Sequence, residues 1–277
     1  FNIAATGLDA VGTSLRFEAQ DGVDQVNLLS GELARVNLRL ARAADASSDQ
    51  TALLDQRDSL LQQMSGFVDI STTIAADQTV EVRLGNTLTP TLVTGGTANP
   101  LAMALAPAGN GTIAFTLAGN PVTPLAGSLA GKAQALAKLA DVRDGIETLA
   151  DTLMTTVNGV LAGGTDRAGN PGQPLLSGTG AADMGLAFED GTLIATAPGG
   201  FPAGSRDPGN LDALRSALQS SDIAGGMDAL LFDISSTVAG RSVTRDALAS
   251  IAGTARIALQ AQAGVDLDHE AVNLIRF

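Results

Sequence analysis

The strongest constraint on this chain is an apolar residue at every third or fourth position from its start: Leu8, Val11, Leu15, Ala19, Gly22, Val26, Leu29, Leu33, Val36 and Leu40. That rhythm lays one apolar stripe along a helix spanning residues 8–44. A helix of about 35 residues is ~50 Å long at ~1.5 Å per residue, far beyond the globular norm, and needs a partner along its length. The polar stretch Asp45-Ala46-Ser47-Ser48-Asp49 supplies capping chemistry for a second helix, whose stripe is Leu53, Leu54, Arg57, Leu60, Leu61 and Met64, with Gly66 placed to close it. The short connection predicts an antiparallel helical hairpin.

After Phe67 the period falls to two. Val68, Ile70, Thr72 and Ile74 alternate, as do Val80, Val82 and Leu84, and further short strands are predicted at 91–94, 101–105 and 112–117 between Gly, Asn and Pro turns. Helical spacing returns from Leu129 through Leu136, Leu139, Val142, Ile146, Leu149, Leu153, Val157 and Val160, and Gly163-Gly164 ends it. Residues 165–174 have a turn composition, residues 184–188 and 193–197 read as short strands, and Asn210 is placed to cap a short helix through Leu218. A last long helix is expected over 227–261, with Leu230, Ile234, Val238, Leu248, Ile251, Ala255 and Ala258 on its stripe, weakened by Gly240 and Gly253. The expected class is α+β: a bundle of long antiparallel helices with an inserted antiparallel β-rich domain. Helices fall in 1–66, 127–165 and 227–277, the β-rich part in 67–126, and 166–226 is mixed, its assignment to either part left open.

Composition narrows the function. The 277 residues carry 16 basic and 29 acidic side chains, a net charge of -13 that would repel a phosphate backbone, so nucleic acid is a poor partner. There is no Cys and His269 is the one His, so thiolate nucleophiles, Cys-ligated metals and His pairs are excluded. No apolar run is long enough for a membrane span, and no cofactor is implied. Cysteine avoidance fits use outside the cell. A chain opening at Phe1 without a signal pattern, and ending inside an apolar helical pattern at Leu274 and Ile275, reads as an excised fragment.

The candidate chemical groups are few. Asp55 and Asp58 share a helix side with Arg57 between them, but no further carboxylate or His converges on them, and an ion pair is the simpler reading. Asp166 with Gly169 and Asn170 has the residue types of an oxygen-ligand calcium loop without its spacing or closing Glu, and reads as a turn. Gly95-Gly96 and Gly199-Gly200 match no phosphate-binding fingerprint, no nucleophile elbow surrounds any Ser, and His269 reads as a solvated residue in a helical first turn.

Three segments carry a family resemblance. The first is Leu53-Leu54-Asp55-Gln56-Arg57-Asp58 leading through Leu60 and Leu61 to the strand from Val68. The second is Val157-Asn158, then Gly164-Thr165-Asp166, then Gly169-Asn170 and Leu176. The third is Gly264-Val265-Asp266-Leu267-Asp268-His269-Glu270-Ala271 at the start of a terminal helix. In this order they resemble the flagellar hook-associated protein FlgK family, with Asp266 where Asn is usual, His269 where Glu is usual and Leu176 where Phe is usual.

The resemblance implies a structural, non-enzymatic protein of the bacterial flagellum at the junction of hook and filament, polymerising as a rigid adaptor ring. The chain would be a helical domain, D1, with an exposed β-domain, D2, lacking the terminal core helices. Implied partners are copies of itself, the hook protein on one side, the second junction protein FlgL on the other and an export chaperone bound through a missing C-terminal segment. The implied location is extracellular, reached through the flagellar type III apparatus. The competing classes are an exported adhesin with a helical stalk and β-rich head, and a β-domain hydrolase mounted on a flagellar scaffold.

Overall fold

The computed structural model describes residues 1–43, 48–85 and 90–263. It divides into two units, residues 1–221 and residues 222–277.

The first unit is organised on α1 (Asn2–Leu40), α2 (Ser48–Phe67) and α3 (Gly127–Ala162). The stripe read from the sequence is the buried one: Ala19, Gly22, Val26, Leu29, Leu33, Val36 and Leu40 face inward, joined by Ala5, Gly12, Val23 and Ala34, whereas Val11 is half exposed. Contacts between α1 and α3 fix an antiparallel register. Asp9 pairs with Arg143, Gly12 lies under Leu139, Glu18 reaches Lys132 at 3.8 Å and Gly22 lies under Leu129. A Cβ at Gly12 or Gly22 would stand 2.9 and 2.8 Å from the leucine methyl above it, so the two glycines let the helix axes approach. Helix α2 packs on α1 through Leu53, Leu60 and Met64 and runs to Phe67, one residue past the predicted Gly66 stop.

Between α2 and α3 the chain forms two antiparallel sheets. The first contains β1 (Ile70–Ile74), β2 (Val80–Leu84), β3 (Val93–Thr94) and β4 (Thr97–Ala98) in that order, and the second contains β5 (Leu101–Leu105), β6 (Ile113–Leu117) and β7 (Asn120–Val122). Alternation in β2 buries Val80, Val82 and Leu84 while Glu81 and Arg83 pair with each other at the surface, as period-two sequence requires. Strand β7 occupies a segment the sequence marks as a turn. Asn120 and Pro121 are exposed at the edge of the sheet, where a Pro costs no ladder bond.

Among the described residues, the sheets share their core with the helices. Val80, Val82, Leu84, Leu92, Leu101, Phe115 and Leu117 belong to one apolar cluster with Val26, Leu33, Leu40, Leu53, Met64 and Leu129 of the helices. Each such side chain taken from water contributes on the order of 1.5–3 kcal/mol, so rods and sheets stabilise one another. The chain enters α3 through Gly127, whose φ of +83° and closeness to the Phe67 carbonyl leave no room for a side chain, and Asp69 closes this neck by accepting the Leu125 N–H at 2.9 Å.

Beyond α3, β8 (Gly164–Thr165) pairs with β11 (Ala197–Pro198), and β9 (Leu176–Ser177) with β10 (Gly185–Leu186). The predicted strand over 184–188 shrinks to two residues, and 193–197 becomes the end of a 3-10 turn at Gly191–Leu193 followed by β11, because Asp190 accepts from Thr192 and curls the chain. Helix α4 (Gly209–Ser220) corrects the expected Asn210 cap. Pro208 holds the cap position, Asp207 accepts the Gly209 N–H at 2.8 Å, and Asn210 lies inside the first turn, buried, donating to the Ala195 carbonyl at 2.7 Å. A second small core joins Val157, Leu161 and Ala195 with Leu214 and Leu218.

The second unit contains α5 (Ile223–Ala263), which runs unbroken through Gly240 and Gly253. The α+β class with long helices and antiparallel sheets is what the sequence led us to expect. No helix among the described residues is long and apolar enough to cross a membrane.

Candidate functional site: polar clasps and exposed helix faces

Long helices present their backbone polar groups to themselves, so anything attached to them sideways must be held by side chains. Here the attachment recurs in one form. Asn37 of α1 donates to the Val80 carbonyl at 2.8 Å and accepts the Val80 N–H at 2.9 Å, and its second amide hydrogen reaches the Gly95 carbonyl at 2.9 Å. Asn27, about 15 Å earlier on the same helix, makes the same reciprocal pair with Leu101, both bonds at 2.8 Å. Asn158 of α3 makes it with Leu176, at 2.8 and 2.9 Å. Val80, Leu101 and Leu176 are each the first residue of a strand. A primary amide offers a donor and an acceptor spaced like those of a peptide, so each asparagine extends a sheet edge onto a helix and satisfies the buried groups there.

Charged side chains fix the turns. Arg57 is buried on α2, bonds Asp58 Oδ1 through Nε at 2.9 Å and donates through Nη1 to the Gln78 carbonyl at 2.9 Å, holding the β1–β2 turn, where Gln78 has φ of +64°. Arg16 donates to the Gly111 carbonyl at the β5–β6 turn. On α3, Glu147 accepts the Ala181 N–H at 2.9 Å and fills the space beside Gly180, and Asn2 donates to the Met184 carbonyl at 3.0 Å, so the loop after β9 is tied to two helices.

Asp166 organises the passage out of α3. Its Oδ1 accepts the N–H groups of Ala168 and Asn170, both at 2.8 Å, its Oδ2 accepts the Asn170 amide at 3.2 Å, and Gly169 turns the backbone at φ of +85° against Ala203. The Asn170 N–H, with the Asn170 side chain and the Ala168 and Gly169 N–H groups, holds the carboxyl below the usual aspartate range against the opposing effect of burial. Its oxygens face N–H donors, which is the geometry of a turn.

The family-signature residues therefore fall into different environments. Leu54 is half-buried against the main core, Asp55 and Gln56 are exposed, Arg57 is buried and its partner Asp58 is exposed, so Asp55 and Asp58 do not converge on a common centre. Asn158, Asp166 and Gly169 hold the exit from α3 as described. Gly264, Val265, Leu267, Asp268, Glu270 and Ala271, with Asp266 and His269, lie outside the described residues. Sequence reading missed Asn27, Asn37 and Glu147. Their only signal is an amide or carboxylate set beside apolar stripe positions, as Asn37 is beside Val36.

The outward faces of the long helices are apolar in places. On α1, Ile3 is 90% and Phe17 76% exposed, with Val11 and Leu28 also more than half exposed. In helix α5 none of residues 223–258 is buried, and Leu231, Phe232, Val238, Val243, Leu248, Ile251 and Ile257 are all more than half exposed.

Comparison with known proteins agrees with this architecture. Residues 1–176 match the flagellar hook-associated protein FlgK helical domain family. Among solved structures, the chain is similar to the flagellar hook junction protein FlgK from Burkholderia pseudomallei, with 26% identity and a TM-score of 0.53 over 64% of this chain. The match covers 33% of that protein, so the matched part of this chain corresponds to about a third of its length. No curated protein sequence matches the chain. With the family match spanning well over half of the residues, the chain belongs to the flagellar hook-associated protein FlgK family, a structural family of the flagellum and not a family of enzymes.

Proposed function

We propose that this chain is the helical body of a rigid adaptor between the flagellar hook and filament, and that copies of it assemble laterally into a ring. The observation that carries the reading is the exposed apolar surface of the long helices, above all α5, where Phe232 is 75% exposed and none of residues 223–258 is buried. A helix in water draws most of its stability from packing an apolar face, so α5 requires a partner surface. Lateral, head-to-tail contact between identical subunits supplies such a surface and closes into a ring when the rotation allows.

In this reading the helical part comprises 1–66, 127–165 and 227–277, the β-rich 67–126 is the outward-facing part, and the mixed segment 166–226 is assigned to neither. The polar clasps suit a part that transmits torque, because they hold sheets and loops to the rods in one register. The hook protein and the second junction protein FlgL would contact opposite ends of the ring, an export chaperone would bind C-terminal segments beyond this chain, and the assembled protein would lie outside the cell. Support comes from family membership, helix length and the exposed faces together.

The test places Phe17→Glu on α1 and Phe232→Glu on α5 in the full-length protein of the source bacterium, with the exposed Asp21→Asn on α1 as a control. Both variants should keep helical circular dichroism and secretion while filament attachment and swimming fail. Normal motility with both substitutions would overturn the lateral-contact reading.

A further inference from the structure

A polar cleft lies within the first unit, formed by the segments around Arg167, Thr192 and Ser205. It has a volume of about 620 Å³ and is lined by Arg167 and Arg206, by Asp190, and by the hydroxyl-bearing Thr192, Thr196 and Ser205. In a chain of net charge -13, two guanidinium groups in one cleft would be expected to find acidic partners. Neither has a hydrogen-bond or ion-pair partner among the described residues.

The nearby acids are committed elsewhere. Asp190 Oδ1 accepts both the N–H and the hydroxyl of Thr192, at 2.9 and 2.8 Å. Asp207, next to Arg206, accepts the Gly209 N–H, and Asp166, next to Arg167, accepts the Ala168 and Asn170 N–H groups. Local folding thus draws three carboxylates onto backbone donors, and the two arginines that line the cleft, both solvent-exposed, are left without an acidic partner among the described residues.

The backbone that carries these cations is held. The Arg167 N–H donates to the Thr192 carbonyl at 3.4 Å, and the Arg167 carbonyl accepts the Gly204 N–H at 2.9 Å, so one residue is stitched to both walls. Ser205, before Arg206, donates its N–H to the Pro202 carbonyl and accepts the Asp207 N–H on Oγ, each at 3.2 Å. Two like charges lining one space repel, and an oxyanion between them converts that repulsion into charge-assisted hydrogen bonds. Guanidinium groups suit this because their planar donor forks match carboxylate, sulfate and phosphate oxygens.

We propose that this cleft is an oxyanion-binding site in which Arg167 and Arg206 clamp a carboxylate-type or sulfate-type group and Ser205 and Thr196 supply further hydroxyl donors. The group comes either from a free small anion or from an exposed acidic side chain of a second copy of this chain.

The experiment titrates the 277-residue chain with sodium sulfate and with sodium acetate, at ionic strength held constant with sodium chloride, and follows arginine Nε–H resonances by NMR. Sedimentation velocity over a range of protein concentration is run in parallel. Saturable shifts of the Arg167 and Arg206 signals, weakened at least about tenfold in the Arg167→Gln/Arg206→Gln double variant, identify a free-anion site. Self-association that sulfate reverses and the double variant lacks identifies the acidic side chain of a second copy. Asp190→Asn keeps the oxygen that caps Thr192 while removing the cleft's negative charge, so it should tighten sulfate binding several-fold, a gain that misfolding cannot produce. No saturable response to either anion, together with no arginine-dependent self-association, overturns the proposal.

Discussion

Asn37 and Val80 are 43 residues apart in sequence and exchange two hydrogen bonds, the asparagine amide taking both the N–H and the carbonyl of the first residue of β2. Both sit at about 1% exposure, so no water can replace either bond. Asn37→Ala would leave the Val80 N–H, the Val80 carbonyl and the Gly95 carbonyl without this partner inside the protein. Each orphaned buried group costs on the order of 1–3 kcal/mol, partly relieved by relaxation, and we expect a loss of about 2–4 kcal/mol in urea-induced unfolding. A loss below about 0.5 kcal/mol would show that the clasp is not stabilising.

Gly127 is fixed for two reasons that act together. Its φ is +83°, and a Cβ there would meet the Phe67 carbonyl and lie 2.6 Å from the Val68 nitrogen, backbone that cannot swing aside. Gly127→Ala should therefore destabilise by about 2–5 kcal/mol, from left-handed strain of ~1–2 and overpacking of ~1–3 kcal/mol. Gly31, in α1 with open space where its Cβ would be, is the matched comparison. Gly31→Ala should raise stability by up to about 1 kcal/mol, and equal effects at the two sites in thermal unfolding would contradict the close-approach account.

The helices were legible because burial follows spacing. The predicted stripe of α1 is the buried face from Ala19 to Leu40, and α3 buries Leu129, Leu136, Val142, Ile146 and Val157 as its pattern required. Strands β1, β2, β5 and β6 were visible for the same reason. The clasps were not, because an asparagine in a helix is ordinarily a surface residue, and only the strand across from Asn27 or Asn37 reveals its purpose. Nor was the shared core: the period of β2 says that Val80, Val82 and Leu84 face one way without saying that α1 and α2 are what they face. In the candidate site, Arg57 stood out through its charge and its place on an apolar stripe, but its target, the Gln78 carbonyl, is set by tertiary packing.

Ser30 gives a prediction of the opposite sign. It is fully buried on the inner face of α1 and its hydroxyl has no hydrogen-bond partner among the described residues. Burying a hydroxyl without a partner costs on the order of 1–3 kcal/mol by mutational measures, and alanine has the higher helix propensity. Ser30→Ala should stabilise the chain by about 0.5–1.5 kcal/mol in chemical denaturation. A clear destabilisation would mean that the hydroxyl is satisfied in solution by a group or water that the packing described here does not provide.

Acid should weaken the loops before the rods. Asp166 is held below the usual aspartate range chiefly by the Asn170 N–H, Asp183 and Asp190 chiefly by the Thr179 and Thr192 N–H groups, and Asp77 chiefly by the Thr79 hydroxyl. A depressed folded-state pKa means that, below the unfolded value of about 3.9, the unfolded chain binds more protons than the folded one. Stability from these four carboxylates is therefore fully present above about pH 5 and falls as pH drops through their folded values. Hydrogen exchange at acid pH should show amides 166–170, 179–183 and 190–192 losing protection ahead of those of α1 and α3. Asp166→Asn keeps one acceptor oxygen but cannot ionise, so it should flatten the pH dependence of unfolding in the acid range while lowering stability at neutral pH. An unchanged acid limb in that variant would remove Asp166 from the set of groups that set acid stability.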